Sequence, residues 1–95
     1  MRVFWARPAL RDLEGIGDYI ARDNPFAAAK IVTRIADQAD LLVRHPQIGR
    51  RGRIKGTREL VVTDTLFIVA YRLNEDRIEV LAVFHGARRL PDRFE

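Results

Sequence analysis

Val80-Leu-Ala-Val-Phe84 decides the fold. Five consecutive apolar residues leave neither face of a strand for water, so the segment suits a central strand covered on both sides. Working outward, Ile78 to His85 forms the last strand. Leu66 to Leu73 reads as the strand before it and Arg58 to Thr63 as the one before that. Asn74-Glu-Asp-Arg77 and Thr63-Asp-Thr65 supply the polar residues that hairpin turns require.

Upstream the period changes. Leu10, Leu13, Ile16 and Ile20 recur at helical spacing, with Pro8 suited to a first turn. Gly15 and Gly17 weaken that helix by about 1 kcal/mol each relative to alanine, and would let another element approach closely. Asn24 is a good N-cap and Pro25 fits the first position of a second helix, expected from Pro25 to Val43. Its stripe is Ala28, Ile31, Ile35, Ala39 and Leu42, and Arg44-His-Pro46 stops it. Val3-Phe-Trp-Ala6 reads as a short opening strand. The order strand, helix, helix, three strands predicts an α+β fold. A helical hairpin packs on one face of a small, mostly antiparallel sheet, and residues 1–95 form a single domain.

The chain has 95 residues, a net charge of +4 and no cysteine. That permits an acidic partner or nucleic acid, and leaves no disulfide or thiol chemistry. Residues 1–49 are nearly balanced in charge, so most of the excess follows Gly49. No signal peptide is expected, and no apolar run approaches the ~20 residues that span a bilayer. A cytoplasmic location, no membrane partner, no metal site and no cofactor are the expectations.

Two stretches concentrate the candidate chemistry. Gly49 to Leu60 carries Arg50, Arg51, Arg53, Lys55 and Arg58 before its first acid, Glu59. Val83 to Pro91 carries His85, Arg88 and Arg89. Both fall at ends of the same sheet, so they are expected to be neighbours. The basic cluster can be read three ways: a solvated loop, a phosphate-binding loop, or a docking surface for an acidic segment, which Arg72 on an exposed strand register would join. His85 is the best candidate for acid–base work, because histidine alone titrates near neutral pH unperturbed. The plainer reading has it ending a strand with a local hydrogen bond. Gly49, Gly52 and Gly56 are read as turn formers. Trp5 and Tyr71 read as core, and Tyr19 as an exposed anchor for a partner.

The motifs and their order resemble the RelE/ParE superfamily of type II toxin–antitoxin toxins, over nearly the whole chain. The resemblance rests on Ala9-Leu-Arg-Asp-Leu13, Asn24-Pro25, His45-Pro46, Gly56-Thr-Arg-Glu-Leu60, Ile68-Val-Ala-Tyr-Arg72 and Val80-Leu-Ala-Val-Phe-His-Gly-Ala-Arg88. It implies a toxin that inhibits growth, held inactive in a hetero-oligomer by a cognate ParD/RelB-like antitoxin. Members divide between ribosome-dependent mRNA endoribonucleases, which are RelE-like, and ParE-like inhibitors of DNA gyrase, which have no known catalytic residues. Carried over residue by residue, the ribonuclease arginine after the last strand matches Arg88. The lysine positions fall near Glu59 and Val61, the sheet arginine at or beside Ile68, and the late tyrosine near Phe94. Those losses favour the gyrase reading. The alternative is a ribonuclease using His85, Arg88 and part of the Arg50–Arg58 cluster; some ribonuclease relatives use a histidine and a glutamate, which His85 and Glu59 could mimic. A chain whose toxicity has been lost is a third possibility.

Overall fold

The computed structural model describes residues 1–87. Strand β1 (Arg2–Trp5) leads into helix α1 (Arg7–Ala21) and helix α2 (Pro25–Asp40). A single 3-10 turn, Leu41–Val43, follows, then strands β2 (Arg50–Arg51), β3 (Arg58–Val61), β4 (Phe67–Asn74) and β5 (Arg77–His85). The sheet order is β1-β5-β4-β3-β2. β1 lies parallel to β5, and every other pairing is antiparallel.

The predicted layers are those observed, and the predicted element order holds with one added strand, β2. Asn24 Oδ1 accepts from Ala27 N–H at 3.0 Å, satisfying one of the amides that the start of α2 leaves open. Gly17 faces Val32: a Cβ there would lie 3.1 Å from Val32 Cγ2, so the two helices close up where the side chain is missing. Gly15 faces open space and serves no such approach. The second helix ends at Asp40, before Val43, because the chain tightens into the 3-10 turn ahead of Pro46. Strand β2 was not foreseen, since two exposed arginines carry no alternation to read.

The helices cover one sheet face, where Ala9, Ile35 and Ala39 meet Val62, Val69, Val80 and Val83. Trp5, Leu13 and Ile16 pack against that cluster. Leu42, Tyr71 and Ile78 extend it, as the core reading of Tyr71 and Trp5 required. Ile68, Ala70 and Phe84 form a separate cluster on the other face. A β-bulge lies between the pairs Tyr71↔Val80 and Ala70↔Ala82, so Leu81 has no partner on β4.

β1 stops opposite Val80, while β5 continues to His85. Along that overhang Val83 N–H donates to Asp12 Oδ2 of α1 at 2.9 Å.

Candidate functional site

The basic stretch is ordered by the one acid within it. Glu59 is 2% exposed, and its Oε2 accepts Arg53 N–H at 2.9 Å. Its Oε1 meets Arg50 Nη2 at 3.3 Å and Arg53 Nε at 3.6 Å. A buried carboxylate needs such partners, since an unpaired one would be strongly disfavoured. Arg53 then reaches across the sheet. Its guanidinium stands 5.3 Å from the Phe84 ring centroid and Nη2 donates to Gly86 O at 3.4 Å. The two basic stretches are therefore neighbours, joined by one arginine. Arg58 is also internal in use: Nη1 donates to Gly49 O at 2.8 Å and to Gln47 O at 3.3 Å.

Gly49 is not a turn former. Its N–H donates to the Tyr71 hydroxyl at 2.9 Å, and that hydroxyl donates to Pro46 O at 2.8 Å. Burial pushes the Tyr71 phenol above its ordinary value of 10.0, against the opposing pull of the Gly49 N–H and the Arg58 charge. Gly52 likewise makes room, there for Thr57. Of these three glycines, only Gly56, with φ of +83°, holds a left-handed turn conformation.

His85 ends β5 and is exposed. Its Nδ1 accepts Ala87 N–H at 3.2 Å and its ring stands edge-on to Phe67 at 5.8 Å. This is the plainer of the two sequence readings. The histidine–glutamate alternative fails on register. Glu59 lies opposite Ala70, and His85 opposite Phe67. Directly opposed residues share a face, and faces alternate along β4. Phe67 packs with the helix-side core and Ala70 with the cluster on the other side, so His85 and Glu59 point to opposite sides of the sheet. The centre of the second face is Ile68, Ala70, Ala82 and Phe84, and the Arg53 guanidinium that stands over Phe84 reaches it from the basic loop.

Arg72 lies on an exposed register as expected, its Nε 2.6 Å from Glu79 Oε1. Arg77 Nη2 holds the other oxygen, Glu79 Oε2, at 2.8 Å. The hydrogen bond from Arg72 chiefly, then those from Arg77 and Asn74, hold the Glu79 carboxyl below its usual 4.5, against a raising effect of burial. A depressed carboxyl adds stability above 4.5 that disappears as pH falls through its folded value. The urea midpoint of the wild type is therefore expected to exceed that of Glu79→Gln near neutrality, with the gap closing on acidification. A gap independent of pH would remove Glu79 as its source.

Tyr19 is 71% exposed, with Arg22 Cζ 5.8 Å from its ring centroid. The expected sites Arg88 and Arg89, and Phe94, lie outside the described residues. The sequence reading missed a third cation–aromatic group, at the far edge of the sheet. There Arg2 and Arg77 stand 5.0 and 4.6 Å from the Phe4 centroid. It also missed the burial of Glu59, although a lone acid within a basic stretch was the available signal. No helix among the described residues is long and apolar enough to cross a membrane.

Comparison with known proteins adds a family to this geometry. The family model described as ParE toxin of type II toxin–antitoxin system, parDE, matches residues 3–90. The chain is 47% identical over 90 residues to a protein of Sinorhizobium fredii with the provisional toxin name Y4kP, covering 95% of this chain and 93% of that one. It is 33% identical over 87 residues to Toxin RelE2 of Caulobacter vibrioides, covering 92% of this chain and 97% of the other. Among solved structures, the chromosomal ParDE TA system from P. aeruginosa superposes with a TM-score of 0.80 at 30% identity. That match covers 90% of this chain and 95% of that one.

Proposed function

Because the chain belongs to the ParE toxin family of type II toxin–antitoxin systems, we propose that it acts by binding DNA gyrase rather than by cutting RNA. Family membership implies a cognate antitoxin as its partner. The choice of target rests on one observation: His85 and Glu59 project from opposite faces of the sheet, and Glu59 is spent on Arg50 and Arg53. Metal-free RNA cleavage needs a base, an acid and cations converging on one phosphate. A buried, doubly paired carboxylate on the far side of the sheet from the histidine supplies no such convergence. The cations of the basic stretch and the exposed Tyr19 are better suited to docking, with the same surfaces open to an antitoxin that would block them.

A supercoiling assay with purified gyrase and antitoxin-free protein tests the proposal. Loss of supercoiling, with gyrase-dependent DNA cleavage, is expected, and His85→Ala should leave it intact. If supercoiling is unaffected at excess protein while ribosome-bound mRNA is cut, the ribonuclease reading replaces this one.

A further inference from the structure

Of the five cations in the basic stretch, Arg50, Arg53 and Arg58 are engaged with Glu59, Gly86 or the Gln47 and Gly49 carbonyls. Arg51 and Lys55 remain. Among the described residues neither makes a hydrogen bond or ion pair, and both are exposed. Arg51 lies directly opposite Arg58 in the β2–β3 register. Like charges directly opposed across an antiparallel pair destabilise it. Carbonyl oxygens relieve Arg58, and among the described residues nothing relieves Arg51. Glu59 cannot, because it belongs to the adjacent register pair, whose side chains point to the other face.

The loop that carries these cations is held in shape. Gly52 N–H donates to Thr57 O at 2.8 Å and Thr57 N–H to Ile54 O at 3.1 Å. The Thr57 hydroxyl donates to Ile54 O at 2.6 Å. Among the described residues, Arg51 to Arg58 line an open concavity of about 540 Å³, and those residues supply basic side chains and no acidic one. A preorganised concavity with an unrelieved like-charge pair on its rim is an anion site whose ligand would reduce that repulsion.

We propose that this loop binds the phosphodiester backbone of duplex DNA through Arg51 and Lys55. The lining favours a duplex over a single strand. Single strands are held by aromatic side chains on which bases stack, and no residue from Arg51 to Arg58 is aromatic. A duplex keeps its bases stacked and presents phosphates, which lysine and arginine contact without reading sequence. The proposal does not depend on gyrase being the target. It concerns the toxin chain and DNA alone, so each can fail without the other.

Fluorescence anisotropy of the full chain with a labelled duplex of about 20 base pairs provides the test. Raising salt from about 50 to about 200 mM should weaken wild-type binding about tenfold, as release of counterions from two contacts requires. The double variant Arg51→Gln/Lys55→Gln should bind at least tenfold more weakly at the lower salt, as expected when two phosphate contacts are lost. Arg7→Gln/Lys30→Gln removes the same charge from exposed helix positions and should stay within about twofold of wild type, lacking any share in the site. Matching unfolding midpoints would show that all three chains are folded. The proposal is overturned if the wild type fails to bind the duplex at the lower salt, or if both double variants lose affinity equally. It is also overturned if single-stranded RNA or polyglutamate binds more tightly than the duplex.

Discussion

Gly49→Ala is expected to lower the thermal midpoint by about 15 °C, corresponding to about 3 kcal/mol in a domain of this size. A Cβ at this position would lie 2.7 Å from the Tyr71 hydroxyl oxygen, 2.8 Å from Tyr71 Cε1 and 3.0 Å from Glu59 O. None of these can retreat easily. Tyr71 is fully buried and its hydroxyl is fixed by Gly49 N–H and Pro46 O, while Glu59 O belongs to a strand. Forcing a methyl into such a site costs about 1–3 kcal/mol in displaced neighbours. The two hydroxyl bonds would be lost with it, leaving buried groups without partners at about 1–3 kcal/mol. Tyr71→Phe removes only the hydroxyl and should cost about 2 kcal/mol. The double variant should cost less than the sum, because both changes break the same bonds. Thermal or urea unfolding of the four proteins checks this. Additive losses, or a Gly49→Ala midpoint within a few degrees of wild type, would contradict the packing described.

Glu59→Ala should cost a similar amount, about 3 kcal/mol, because it removes the buried acceptor of three groups. Arg53→Ala should cost less, about 2 kcal/mol, since Arg50 still faces the carboxylate and the Arg53 side chain is 42% exposed. Arg50→Ala should cost under about 1 kcal/mol, its side chain being 58% exposed and its contact long at 3.3 Å. The order of the three is the informative result. If Arg50→Ala proves the most damaging, or Glu59→Ala falls within about 0.5 kcal/mol of wild type, the buried carboxylate is not what holds the loop.

The layers of this fold were legible because their signals are local. The apolar stripe of α2 repeats at helical spacing, Asn24 caps it, and the apolar run in β5 announces a strand covered on both sides. The site was less legible, and β5 shows why. Counting by twos from Ile78 and Val80, which face the helices, would put His85 on the opposite side with Glu79 and Glu59. The extra residue at Leu81 breaks that count and returns His85 to the helix side. Nothing in Val80-Leu-Ala-Val-Phe84 marks the bulge, since every residue in it is apolar. The roles of Gly49 and Glu59 were hidden for a related reason. Each depends on a residue more than five positions away, and composition reports only that glycines and one acid are present.

The short β1 carries a consequence for how copies of this chain meet. An uncovered strand margin invites another chain to pair with it, which is how folded proteins begin to aggregate. Where β1 stops, Asp12 takes the Val83 amide and places a helix and its carboxylate in the lane where a further strand would pair with the overhang of β5. At the opposite margin β2 is two residues long, both arginine. The overhang of β5 is thus closed to a further strand by a carboxylate, and the β2 margin is kept short and charged by guanidinium groups. A second copy meets charge at both of these places before its own strand can pair there.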